Sequence, residues 1–229
     1  MSTVALPWLS VIVPTLNEGA QIRQTLAELQ ALREHGVEII VVDGGSEDDT
    51  AEIARALADQ VLCSDRGRAR QLNAGAARAR GDVLLFLHAD TRLPESALAA
   101  VRAATNSTWA WGRFDVRISG QSMMLPVIAW FINHRSRLSG IATGDQALFF
   151  TREMFYRLGR FPQQPLMEDV EISRRAKALC PPSCLCLRVS TSGRRWEKHG
   201  VWQTIWLMWK LRYLYWRGVS PSVLVRAYR

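Results

Sequence analysis

Gly81-Asp82-Val83-Leu84-Leu85-Phe86-Leu87-His88-Ala89-Asp90 runs apolar from Val83 to Leu87 and then ends in His-Ala-Asp. A run this short with no polar face reads as a strand buried on both sides. It delivers one carboxylate, Asp90, to its C-terminal edge. In open parallel α/β sheets that edge is where ligands bind. A carboxylate there is well suited to hold a divalent cation against a diphosphate.

Upstream, the pattern alternates strand and helix. Ser10 to Pro14 reads as a first strand, followed by a helix from about Glu18 to His35 with Asn17 as N-cap and Gly36 as the stop. Val37 to Val42 reads as a second strand ending in Asp43-Gly44-Gly45-Ser46. Ser46 with Asp49 is a capping pattern for a helix reaching about Asp59. Val61 to Cys63 is a short third strand, and Arg66 to Ala79 an Arg- and Ala-rich helix that Gly81 ends. This is the α/β signature, with a mostly parallel central sheet flanked by helices. Right-handed crossovers place Asp43 and Asp90 on one sheet edge. Downstream the spacing predicts a strand over Trp109–Ile118 and a helix over Ser122–Leu138 involving Pro126. A short strand over Ala147–Phe150 precedes a helix capped by Thr151. A last helix covers Glu168–Leu179, with acids in its first turn.

The 229 residues suit one elaborated domain, and 48% hydrophobic against 22% charged residues excludes a disordered chain. Residues 1–13 lack the basic n-region of a secretory signal, so a cytoplasmic location is expected. Four cysteines are too few for a disulfide scaffold, and Cys180, Cys184 and Cys186 fit no standard zinc spacing. They read as buried or redox-silent thiols. The net charge of +8 lies entirely in residues 188–229, where Glu197 is the only acid; residues 1–187 balance to zero. A neutral body with a basic end points to an anionic partner.

Asp43, Asp90, Asp145 and the pair Glu168-Asp169 sit at element edges or beside glycine. Singly, each reads as a cap or turn former. Together on one edge they would repel unless a cation or bound protons intervene, so a metal-plus-base site accounts for them jointly. No Gly-x-Gly-x-x-Gly or Gly-Lys-Ser/Thr loop is present, which disfavours a Rossmann dehydrogenase or P-loop NTPase. No histidine lies in a recognisable catalytic signature.

Ser10-Val-Ile-Val-Pro-Thr-Leu-Asn-Glu18, Ile-Ile-Val-Val-Asp43-Gly-Gly-Ser, Arg70-Gln-Leu-Asn73-Ala-Gly75, Gly81 to Asp90, Glu168-Asp169 with Arg174, and Arg194-Arg195-Trp196 follow one another in order. In that order they resemble the family 2 glycosyltransferases of the GT-A fold, over about residues 8–200. The resemblance implies a GT-A domain over 1–200, with a nucleotide-binding half over about 1–105 and an acceptor half over about 106–200. Residues 201–229 form an aromatic, basic helical extension.

The resemblance further implies a nucleotide-diphosphate-sugar donor, by default a UDP-sugar, and an unidentified acceptor. Pro14, Thr15, Asn17 and Glu18 would line the nucleotide pocket. Asp43 would bond the base or ribose, with Arg70 nearby, and Asp90 would hold Mn²⁺ or Mg²⁺. Asp169 would be the general base, with Glu168 beside it and Gly144 and Asp145 on the acceptor side. Arg195 would face the diphosphate, and Trp196 would pack on donor or acceptor. Attack opposite the leaving group would invert the anomeric carbon in one step. The family's Asp-x-Asp is here His88-Ala89-Asp90, so His88 stands where an acid usually faces ribose or metal, and it is a candidate ligand of the nucleotide or the metal. Ser192 stands where processive members carry Gln, which argues against a processive synthase. His88-Ala-Asp90, Thr143-Gly-Asp-Gln146 and Thr191-Ser-Gly-Arg-Arg-Trp196 look closest to a small bacterial subgroup associated with arsenosugar biosynthesis or with radical-SAM and selenium-related gene clusters.

Trp202, Trp206, Trp209, Tyr213 and Trp216 recur at helical spacing among Lys210, Arg212 and Arg217. Such a stripe suits a membrane interface, giving a peripheral location through 201–217. It equally suits packing on the catalytic domain or a homodimer face. The span is too short and too charged to cross a bilayer. Two other functions stay open: a nucleotidyltransferase, which would want a Gly-rich basic loop after the first strand, and a non-catalytic membrane-surface module. Nucleic-acid binding is not expected, because the arginines of Arg66–Arg80 lack interleaved aromatics.

Overall fold

The computed structural model describes residues 6–106 and 110–228. In the first half, β1 (Leu9–Thr15), α1 (Gly19–Arg33), β2 (Val37–Asp43), α2 (Thr50–Leu57), β3 (Gln60–Cys63), α3 (Arg68–Arg78) and β4 (Val83–Phe86) alternate as expected. The second half adds β5 (Thr91–Arg92), α4 (Ala97–Ala104), β6 (Trp111–Ser119), α5 (Leu125–Ser139), a 3-10 turn (Gly144–Gln146), β7 (Phe149–Thr151), α6 (Arg152–Arg157) and α7 (Glu168–Lys177). It closes with β8 (Ser183–Ser192), α8 (Arg194–His199), α9 (Val201–Trp216) and α10 (Pro221–Tyr228). The expected strand over Trp109–Ile118 is β6; Trp109 itself lies outside the described residues.

All strands join one sheet in the order β3-β2-β1-β4-β7-β6-β8-β5. The β3–β2, β2–β1, β1–β4 and β6–β8 pairings are parallel; β4–β7, β7–β6 and β8–β5 are antiparallel. β1, β2 and β4 are buried almost throughout and mostly apolar because helices cover both sheet faces. Val11, Val13, Ile39, Val41 and Leu85 point into one core, while their neighbours Ile12, Ile40, Val42, Leu84 and Phe86 point into the other. Burying each such side chain is worth roughly 1.5–3 kcal/mol relative to exposure.

The parallel register pairs Thr15 with Asp43 and Ile12 with Phe86, so the loops after β1, β2 and β4 open on the same edge. The Arg70–Gly75 motif serves this arrangement. Gln71 Nε2 donates to the carbonyls of Thr15 (2.8 Å) and Val42 (2.9 Å), stitching α3 to the ends of β1 and β2. A Cβ on Gly75 would stand 2.5 Å from Ile12 Cγ2, so only glycine allows this close approach. Asn73 exchanges two hydrogen bonds with the backbone of Phe161.

Three local expectations change. Asn17 is not the cap of α1: Glu18 holds that position, and Asn17 sits in the left-handed region at φ 53°. Its Oδ1 accepts from the Glu47 amide, and its own amide donates to Ser46 Oγ. Ser46 is therefore engaged across the loops, and Asp49 is the residue before α2. Thr151 does precede α6, but its hydroxyl bonds the Ala110 backbone instead of capping the helix. No disulfide joins the four cysteines, and none of them is buried.

Candidate active site

The loops after β1 and β2 are bound to each other. The Asp43 carboxylate is buried; its Oδ2 accepts from the amides of Gly45 (3.0 Å) and Ser46 (2.9 Å). Its Oδ1 accepts from the hydroxyls of Ser46 and Thr15 (3.4 Å). A carboxylate has about four acceptor positions, so the turn itself occupies most of them. The long Thr15 contact is the one a ligand donor would displace. Pro14 is half-buried in β1 beside Thr15. Arg70 is exposed and faces Asp65 at 3.5 Å, not Asp43. Together with Ser64, Asn73 and Arg160 it lines an open groove of about 460 Å³.

Asp90 sits at the mouth of this edge. Its Oδ1 faces the hydroxyls of Thr91 (3.4 Å) and Thr191 (3.5 Å), and its Oδ2 lies 3.5 Å from Arg194. Arg194 also pairs with Glu18 at 3.0 Å, which closes a triangle between β1, β4 and β8. The antiparallel pairing of Thr91 with Thr191 brings these segments together. Arg195, expected at the diphosphate, turns away: its guanidinium stacks on Tyr228 at 3.8 Å and donates to the Tyr228 hydroxyl. Trp196 packs half-buried against the core beneath β6 and α5 instead of lining the mouth.

Deeper in, His88, Gly144 and Asp169 form a continuous chain. A Cβ on Gly144 would stand 2.7 Å from His88 Nε2, so the ring lies directly on this backbone. The Gly144 amide donates to Asp169 Oδ2 at 2.8 Å, and the Val170 amide donates to Oδ1 at 2.7 Å. Arg68, at the start of α3, lies 3.9 Å from Glu168. Arg68, His88, Gly144, Glu168 and Asp169 line one narrow cleft with Phe86 and Phe161 at its back.

Electrostatics follow from this crowding. Burial, reinforced by Arg68, pushes His88 well below the usual imidazole range and keeps the ring neutral. Partial desolvation opposes the charge on Arg68, whose side chain is about half exposed, but Glu168, Tyr228, Asp169 and Asp145 more than offset it and its pKa is raised. Burial and then Asp169 raise Glu168 to about 7, with Arg68 opposing. Asp145 is raised chiefly by burial, with Asp169 adding to it, and its Oδ1 has no hydrogen-bond partner. Burial, then Arg212, lowers Arg135 to about 10, against the pull of Asp145 and Asp169. Glu168, Asp169 and Asp145 thus interact with Arg68, Arg135 and Arg212, and near neutral pH partial protonation of Glu168 relieves Asp169.

The family profile of glycosyl transferase family 2 matches residues 10–151, more than half of the chain. The chain belongs to glycosyl transferase family 2. An uncharacterized glycosyltransferase of Mycobacterium tuberculosis, Rv1514c, is 29% identical over 202 residues, covering 82% of this chain and 76% of the relative. The mannosyltransferase PcManGT from Pyrobaculum calidifontis, solved with GDP-Man and Mn²⁺, superposes with a TM-score of 0.61 at 25% identity, covering 82% of this chain and 57% of that one. Staphylococcus aureus TarS 1-349, solved with UDP-GlcNAc, shares the fold at a TM-score of 0.62 and 20% identity, covering 80% and 58%. The chain spans less than two thirds of the length of those two solved structures.

The GT-A fold and the glycosyltransferase class expected from the motifs are therefore met, and the nucleotidyltransferase and the non-catalytic module give way. Two arginines of this family 2 glycosyltransferase escaped the sequence reading. Arg68 follows Gly67, whose φ of 142° lets the chain turn into α3 at the ligand-binding edge, and that helix start was the signal available. Arg194 gave no signal beyond its motif, because its direction depends on the β5–β8 pairing.

Glu168 carries a testable stability consequence. With a folded pKa of about 7 against 4.5 unfolded, the folded state holds the extra proton between those values. Stability is full below 4.5 and falls as pH rises through 7. Denaturant melts of the transferase should lose about 1–3 kcal/mol across that window relative to Glu168→Gln, whose side chain does not titrate. Parallel curves for both proteins would remove the proton from Glu168.

Proposed function

We propose that the chain transfers a sugar, with inversion, from a nucleotide-diphosphate sugar to an acceptor, by single displacement with Asp169 as general base. The observation that carries this reading is the arrangement along one edge. Asp90, Glu18 and Arg194 form a charged mouth, and the Gly144 backbone joins His88 to Asp169 just inside it.

Pro14, Thr15, Asn17, Glu18 and Asp43 line the nucleotide side, and Arg70 borders it. Among the described residues no three His, Cys, Asp or Glu side chains gather into a metal cage. Asp90 alone, open to solvent at the mouth, fits Mn²⁺ or Mg²⁺, which take one or two protein carboxylates and complete their shell with phosphate oxygens and water. Negative charge on the departing nucleoside diphosphate would be met by such an ion on Asp90. Arg194 meets the same charge from the protein side, in the role first expected of Arg195. Neutral His88 presents a ring nitrogen to the reacting region without adding charge. Asp169 takes the acceptor proton as the acceptor attacks, and Glu168, protonated beside it, limits repulsion. Asp145 flanks the acceptor side, where Arg135 and Arg212 border it; Trp196, packed on the core, supports the mouth from behind.

The sugar, the base and the acceptor follow from no side chain described above; UDP is the starting donor. The narrower resemblance, to the subgroup associated with arsenosugar or radical-SAM and selenium-related clusters, supplies the acceptor classes to try first. We place the catalytic domain at 1–200 in its two halves, with 201–229 as the extension.

Thermal shift with nucleoside diphosphates, with and without Mn²⁺, tests the reading. Metal-dependent stabilisation by one of them is expected. A donor screen read by nucleotide release, with mass spectrometry of products from cell extract, then names the sugar. No nucleotide effect under any condition would overturn the proposal.

A further inference from the structure

The α9 helix is apolar on nearly every side: among Val201–Trp216 only Gln203, Thr204, Lys210 and Arg212 are polar. Such a helix is ordinarily covered all round. Here only one face is covered. Leu211 is buried with Met167 and Leu224, and Val201 and Ile205 pack on the same core as Leu125, Ile128 and Ala129 of α5. The opposite face carries Trp202, Trp206, Trp209, Tyr213 and Trp216, which are 71%, 64%, 72%, 55% and 78% exposed. The stripe therefore does not pack on the catalytic domain. Trp130 and Phe131 of α5, which shares this core, are likewise more than half exposed.

Cations sit within the stripe. Lys210 Nζ lies 4.8 Å from the Trp206 ring centre, and Arg217 stacks near Tyr213 and bonds its hydroxyl at 3.0 Å. They belong to the segment 188–229 that carries the whole net charge of +8. A second copy is a poor cover for this face. A two-fold contact would bring Lys210 and Arg217 of both copies into one interface, and α9 carries no acid to offset them. Spanning is also excluded by size: the 16 residues of α9 reach about 24 Å, short of the roughly 30 Å hydrocarbon core. No helix among the described residues is long and apolar enough to cross a membrane.

We propose that the outer face of α9 docks on an anionic lipid bilayer, with the helix lying in the interfacial plane. Tryptophan and tyrosine rings sit at the headgroup level, and the basic side chains reach the lipid phosphates. The charge of the surface and the exposure of its aromatics both enter the recognition. The proposal does not depend on the transferase reading, since lipid binding is measured without substrate.

Co-sedimentation of the full chain with sucrose-loaded vesicles tests it, using phosphatidylcholine alone and phosphatidylcholine with phosphatidylglycerol. Binding to the anionic vesicles is expected, several-fold weaker in high salt. The triple variant Trp202→Ser, Trp206→Ser, Trp209→Ser is expected to bind at least tenfold more weakly with an unchanged far-ultraviolet spectrum. Should that variant not fold, Lys210→Glu with Arg217→Glu is expected to lose the anionic preference. Absence of wild-type binding to either vesicle, or equal binding by the variants, would overturn the proposal. So would sedimentation velocity showing a wild-type dimer that the tryptophan variant dissolves without any vesicle binding.

Discussion

Asp169→Asn is expected to lower kcat by about 10²–10⁴-fold, on the order of 3–5 kcal/mol of barrier, while donor binding stays close to wild type. Asparagine keeps the shape and can still accept the Gly144 amide bond of 2.8 Å, so the turn before β7 should hold. What it loses is the basic carboxylate that takes the acceptor's proton. A second readout separates this from a structural defect. Asp169 is among the causes that raise Glu168 to about 7, so the substitution should lower the pH at which Glu168 titrates. Single-turnover rates and pH profiles check both effects. Transfer at the wild-type rate would remove Asp169 from the base role. Loss in Asp145→Asn without loss in Asp169→Asn would move that role to Asp145, a neighbouring acid whose Oδ1 has no hydrogen-bond partner.

Asp90→Ala should weaken metal-linked donor binding by at least about 100-fold, because a divalent ion that leans on one protein carboxylate keeps no protein ligand without it. Stabilisation by nucleoside diphosphate with Mn²⁺ should fall to the metal-free level in a thermal-shift titration. Arg194 should stay in place, since Glu18 still holds it at 3.0 Å, so the metal-free response should not change. Metal-linked stabilisation that survives in Asp90→Ala and disappears in His88→Ala would identify His88 as the ligand instead.

How much of this was legible in sequence differs between the halves. β1, β2 and β4 announced themselves because parallel strands buried on both faces must be continuously apolar. β8 did not, because Ser183–Ser192 is half-buried along most of its length and its short apolar run, Cys184–Leu187, gives way to a polar stretch. Its cysteines suggested buried or redox-silent thiols instead. β5 is two residues long and has no local signature at all. Caps were misread where a polar side chain had a better partner across a loop, as for Asn17 with Glu47 and Ser46 with Asp43. Local propensity cannot anticipate such a competitor.

The sequence alone determined the α/β alternation, the position of Asp90 at the end of a buried strand, the family motifs and the segregation of charge to the C-terminal end. These properties rest on periodicity and residue type, which act locally. The tertiary structure decided which of two adjacent arginines meets Asp90, that Arg68 and Glu168 share the cleft of Asp169, and that the aromatic stripe of α9 faces outward. Those outcomes depend on Thr91 pairing with Thr191, one hundred positions away, and on which face of a doubly apolar helix finds a core first. No local pattern encodes either choice.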